Sequence, residues 1–219
     1  MFIFVLGLEG CGHHGLSHVV KQTSKNASKD LKSDVHELRC IRESIVFGTP
    51  KELFQNQIES LSYLYGQVDW LYEDMSYPHG GRRSVARQYT FSSEYPYFSK
   101  IGTIKVLHLK RNIYNTINSH PTLDGGIINH AKVLNQIQTE SIEKELSVLK
   151  SLGVCILELE YEKINTDEGI DIITNMLEID RERVVSAVNK SFKPSKKDYR
   201  QLLTSETIAQ IDEIFKSNK

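Results

Sequence analysis

Cysteine is scarce in this chain: Cys11, Cys40 and Cys155 are the three among 219 residues. They are odd in number, far apart and in no metal-ligand spacing, which excludes a disulfide-framed scaffold and fits reduced thiols, so a cytoplasmic protein is expected. Charge of one sign is also missing, with 27 Lys and Arg against 28 Asp and Glu and a net charge of −1. Such a balance lacks the broad basic field of a non-specific nucleic-acid binder, while leaving room for a local anion pocket. No run approaches the ~20 apolar residues of a membrane span. The opening Met1-Phe2-Ile3-Phe4-Val5-Leu6 is apolar, yet it has no basic flank or small-residue cleavage site and leads at once into a glycine-rich turn. It reads as a strand and not as a signal peptide. Internal repeats and low-complexity stretches are lacking too. What remains is the composition of a folded domain, 39% hydrophobic and 25% charged, at a length that predicts one domain over residues 1–219.

Short apolar runs alternate with longer helical patterns. Strands are expected at residues 2–7, 68–75, 103–109 and 154–160. Helices are expected from the glycine turn to about 21, from 49 to about 66 behind Thr49-Pro50-Lys51-Glu52, and at 112–119. A long amphipathic helix over 127–152 should bury Val133, Ile137, Leu146 and Leu149, and further helices are read at 167–177, 181–189 and 205–215. A basic, proline-containing loop covers 193–200. Strands separated by helices pair in parallel with helices on both faces, giving an α/β fold. Such sheets bind ligands beyond the carboxyl ends of their strands. Topology alone therefore directs attention to the residues after Leu6, Met75, Leu109 and Glu160.

After the first strand comes Gly7-Leu8-Glu9-Gly10-Cys11-Gly12-His13-His14. Gly7 and Gly12 have the spacing of the two glycines of a phosphate-binding loop, and backbone N–H groups entering a helix would face an anion there. His13-His14 replace the usual Lys-[Ser/Thr] pair, so the Mg²⁺ ligand and phosphate-neutralising lysine of a nucleotide kinase or hydrolase are both missing. A plain glycine turn is the competing reading. After the third strand, Arg111 is placed for a bidentate phosphate contact and Ser119, eight residues on, for the same group. Read singly, each could be ordinary surface.

Taken together, the glycine loop, KVLHLKRNIYNTINS and LELEYEKINTDEGIDIITNMLEID resemble the P-loop sulfotransferase family. The resemblance implies a three-layer P-loop-type parallel sheet flanked by helices, with a helical C-terminal tail. It implies a soluble enzyme that transfers a sulfuryl group from 3′-phosphoadenosine 5′-phosphosulfate (PAPS) to a hydroxyl acceptor, a sugar, tyrosine or small alcohol, with no metal. The loop Glu9, Gly10, Cys11, Gly12, His13 and His14 would hold the donor's 5′ end. Arg111 and Ser119 would hold its 3′-phosphate, and Tyr161, of the Tyr161-Glu162 pair, would contact the nucleotide. The chain departs from the family at Gly10, where a Lys or Arg is usual. Loss of such a charge typically costs roughly 10²–10³ in rate. A protonated His13 or His14 is the expected substitute, His13 being the better placed.

The resemblance also implies a base that deprotonates the acceptor hydroxyl, for which Asp74, or His79 beyond Pro78, is the candidate. A capping Asp and an exposed His are the plain alternatives. Arg82, Arg83 and Arg87 give that loop a basic edge suited to an anionic acceptor or simply to solvent. His14 and His18 have an i, i+4 spacing without an identifiable third ligand, so no metal is expected. Tyr89, Phe91, Tyr95, Tyr97 and Phe98 form an aromatic cluster suited to stacking a base or to packing helix on sheet. The principal alternative to an enzyme is a non-catalytic PAPS-binding relative or interaction module, favoured by Gly10.

Overall fold

A computed structural model describes residues 1–23, 56, 59–60, 71–77 (main chain), 91–121, 123–192 and 198–216. Four strands form a parallel sheet: β1 (Phe2–Leu8), β2 (Leu71–Tyr77), β3 (Ile104–Lys110) and β4 (Ile156–Glu160), in the order β2-β1-β3-β4. Every residue of β1 is buried. A strand with no solvent-facing side must be covered on both faces, which explains its continuous run of apolar residues. The strand order places β1 between the strands that follow it in sequence. Successive connections depart from it in opposite directions, and the crevice between the carboxyl ends of β1 and β3 is the switch point where such sheets take ligands.

The helices are α1 (His13–Thr23), α2 (Phe91–Phe98), α3 (Ile113–Ser119), α4 (Ile127–Ile137), α5 (Lys144–Ser151), α6 (Asp167–Leu177), α7 (Arg181–Ser191) and α8 (Ser205–Lys216). Helix α1 packs on α7, α6 on β4, α2 on α5, and α8 on α4. Asn112 starts α3 by accepting from Tyr114 N at 3.0 Å and Asn115 N at 3.4 Å, satisfying N–H groups that have no partner within the helix. The Tyr114 hydroxyl donates to Asp212 Oδ1 at 2.5 Å, so the C-terminal helix braces the helix that carries Ser119.

Several elements depart from the sequence reading. Strand β2 runs to Tyr77, two residues beyond the expected end, so Ser76 and Tyr77 pair with Gly7 and Leu8 and do not open a loop. Helix α2, with Pro96 inside it, has no counterpart among the expected helices. The long helix over 127–152 is interrupted by a π segment, Gln138–Glu143. Leu134 and Ile142 are fully buried, while Val133 and Ile137 are only half-buried. Leu146 and Leu149 are buried as expected. Of the expected helix over 49–66, only Asn56, Glu59 and Ser60 are described, and they are helical; Cys40, the basic edge Arg82, Arg83 and Arg87, Tyr89, and 193–197 of the basic loop lie outside the described residues.

The aromatic cluster serves the core. Phe98 stacks on Phe2 with ring centroids 5.0 Å apart, and Phe91 stacks on Phe4 at 4.4 Å. All four rings are at most 1% exposed, so β1 is held by ring-on-ring packing from α2. Phe98→Ala should therefore cost about 3–5 kcal/mol of unfolding free energy, read as a lower urea midpoint. A loss below about 1 kcal/mol would show that α2 contributes little to the core.

Beneath the β3 end, His108 is buried between Leu6 and Glu158 in the sheet register. Burial pushes its pKa down to about 4, and Lys110 adds to the depression; Glu158, with Oε1 4.0 Å from Nδ1, opposes it only partly. An unfolded histidine takes up its proton near 6.5, so protons bind the unfolded chain first. Stability from this site should be complete above about pH 6.5 and fall by about 3 kcal/mol as the pH drops towards 4. Denaturation midpoints measured across that range should flatten in His108→Gln; an unchanged acid slope would show that His108 does not titrate with folding.

Candidate functional site

The turn between β1 and α1 contains two glycines with positive φ, Gly10 at 86° and Gly12 at 97°. Both are also pressed by other parts of the chain. A Cβ on Gly10 would stand 2.2 Å from Ser119 Oγ, and one on Gly12 would stand 2.4 Å from the Tyr161 ring. Side chains are thus excluded at both positions by conformation and by contact. Helix α1 begins at this turn, and the start of a helix is the usual source of affinity for an anion.

Arg111 leaves the end of β3 and crosses to the same turn. Its Nη1 donates to the Gly10 carbonyl at 2.6 Å, and the guanidinium carbon lies 4.3 Å from the centre of the Tyr161 ring. The side chain is half-buried, and its Nε is enclosed without a hydrogen-bond partner among the described residues. A guanidinium has five donors, so one bond to a carbonyl leaves most of its capacity unspent. Ser119 Oγ donates to Thr116 O at 2.6 Å and lies 2.9 Å from His120 Nδ1. His120 Nε2 in turn is 3.6 Å from Glu9 Oε1. Glu162, beside Tyr161, accepts from Asn112 N at 3.1 Å and Asn115 Nδ2 at 3.3 Å, holding the β4 end to the start of α3.

Glu9, Gly10, Gly12, Arg111, Ser119 and Tyr161 thus converge at the carboxyl ends of β1, β3 and β4, as sequence reading expected. Cys11 is different, being a wall of this turn and no part of its open face. It is 2% exposed, its Sγ is 3.9 Å from Thr116 Oγ1, and burial raises its pKa to about 11. The thiol stays protonated and inert near neutrality. His13 is buried, with Nε2 3.1 Å from where a Gly7 Cβ would stand, so its ring lies against the strand end. His14 is exposed on α1 with its ring edge-on to His18 at 5.0 Å, and among the described residues no three potential ligands gather for a metal. Asp74 pairs with Val5 and lies three residues before the end of β2, so it belongs to the strand. His79 lies outside the described residues.

Sequence reading missed His120 and Phe192. His120 directly follows the motif serine but belongs to no expected spacing. Phe192 stacks edge-on to Tyr161 at 5.8 Å, and a Cβ on Gly15 would come within 2.6 Å of its ring. A glycine inside a helix is the one sequence sign of that approach.

Compared with family models and with curated proteins, the chain matches none.

Because Tyr161 covers Gly12, Gly12→Ala should destabilise by about 1–3 kcal/mol, combining a strained φ with a displaced ring. In a Tyr161→Ala background the same substitution should cost less, since only the backbone strain remains. Strict additivity in denaturation experiments would show that the ring does not press on Gly12.

Proposed function

We propose that the chain binds PAPS at the joined ends of β1, β3 and β4, as a sulfotransferase-like domain with a P-loop-type sheet, and transfers its sulfuryl group to a hydroxyl acceptor. The observation that carries this reading is the meeting of three distant motifs. Arg111 bonds to Gly10 and stacks on Tyr161, while Ser119 lies against the same glycine. The unspent donors of Arg111 and the enclosed Nε suit a phosphate, and Tyr161 offers an aromatic surface for a nucleotide.

PAPS supplies a sulfuryl group on a good leaving phosphate. The chain's part is to bind and orient. The turn's amides meet the 5′ end, Arg111 and Ser119 meet the 3′-phosphate, and the buried Cys11 and His13 keep the turn rigid from below. An acceptor hydroxyl must lose a proton as it attacks, and Asp74 and His79, on and just after β2, are the candidates for that role.

A second reading, a donor-binding protein without transferase activity, is favoured by Gly10. No cationic side chain fits there while Ser119 holds its place. Transfer of labelled sulfate from PAPS to a panel of sugars, tyrosyl peptides and alcohols separates the two.

Calorimetry tests what both readings share. The protein should bind 3′-phosphoadenosine 5′-phosphate at least about tenfold more tightly than AMP, as a charge-assisted contact to the additional phosphate requires. Arg111→Ala should erase most of that preference and Ser119→Ala should reduce it. Equal wild-type affinities for the two nucleotides would overturn the assignment.

A further inference from the structure

The exposed face of α1 carries two imidazoles. His14 and His18 stand four residues apart on this helix, and both are exposed. Residues at that spacing lie on one face of a helix, one above the other. Their rings are edge-on to each other, with centres 5.0 Å apart and planes at 86°. Among the described residues neither ring has a hydrogen-bond or ion-pair partner. The helix beneath them is fixed. Leu16, Val19 and Val20 are buried, Gly15 leaves no room for a Cβ beside Phe192, and Gln22 donates to Ser191 Oγ at 3.4 Å. Helix α1 is thereby held against α7, and the Ser17 hydroxyl between the two histidines donates back to the His14 carbonyl at 2.8 Å.

Ring separation is the observation that turns a sequence interval into a site. Two imidazoles bound to one metal ion at about 2.0–2.1 Å, with about 90–110° between the bonds, put their ring centres about 4.5–5.3 Å apart. The observed 5.0 Å lies inside that interval without any movement of the backbone. Rotation of two exposed side chains about their own bonds is enough to turn a nitrogen of each toward a common point. We propose that His14 and His18 form a two-histidine site for a late first-row divalent ion, Ni²⁺, Cu²⁺ or Zn²⁺, on the exposed face of α1. Imidazole nitrogen suits these ions, whereas Mg²⁺ and Ca²⁺ demand oxygen ligands. Each ring gives one lone pair, and water completes the coordination, since no three potential ligands gather among the described residues. The proposal does not depend on the nucleotide-binding reading.

Calorimetry with Ni²⁺ alone tests it on the full chain, in the wild type, His14→Ala, His18→Ala and the double variant. Alanine at exposed helical positions favours the helix, so the variants should fold. On a fixed helix the second bond closes within the molecule, so the wild type should bind one Ni²⁺ at least roughly tenfold more tightly than either single variant. The double variant should bind within about twofold of the single ones, because one lost ring already breaks the chelate. The remaining histidines are common to all four proteins, so binding to them cancels in the comparison. Ni²⁺ should also raise the urea midpoint of the wild type more than that of His18→Ala, since the unfolded chain does not hold the two rings together. Mg²⁺ should leave both midpoints together. Equal Ni²⁺ affinity in the wild type and the two single variants would overturn the proposal. Losses in the single variants that add up in the double variant would overturn it too, because they belong to two rings binding separately.

Discussion

One guanidinium holds the candidate site together. Arg111 reaches from the end of β3 to a main-chain carbonyl 101 residues away in sequence, at 2.6 Å, while its face lies on the Tyr161 ring. A bond to a carbonyl and a cation–π contact are each worth only about 0.5–3 kcal/mol, so their importance is geometric. They fix the relative positions of three strand ends. Tyr161, so placed, covers Gly12 and meets Phe192, and Glu162 ties β4 to the start of α3. Moving Arg111 would release the turn and the ring together.

The same closeness dictates what position 10 can hold. A residue there must adopt φ near 86° and leave room for Ser119 Oγ, and both demands select glycine. The lack of a cation is therefore part of the packing of this turn against α3 and not a lesion in an otherwise ordinary loop. Restoring a lysine would require Ser119 to move, and Ser119 is held by Thr116 and His120.

Much of this was legible in the sequence because it depends on short-range rules. The apolar runs marked β1, β3 and β4, the glycines marked a turn between strand and helix, and the Arg111–Ser119 spacing spans a short helix with a strong Asn112 cap. Parallel pairing then required their ends to meet. The rest depended on long-range packing that no local pattern encodes. The β2 register follows from pairing with Gly7 and Leu8, and the π segment interrupts a helix whose apolar spacing fitted an ordinary one. Helix α2 tolerates Pro96 because Phe91 and Phe98 stack on β1. His13 and His120 illustrate the same limit within the site. The residue nearest the motif turned inward, and the one beyond it faces the carboxylate at the mouth.

Binding an anion and assisting its chemistry make different demands on such a turn. Amides at a helix start give fixed dipoles that attract a phosphate equally well before and after a bond breaks, which lowers the energy of the bound state without favouring the transition state. Catalysis needs charge that is better placed for the leaving oxygen than for the intact donor. Arg111 is a poor source of that difference, because its bond to Gly10 and its stacking on Tyr161 fix it before any ligand arrives.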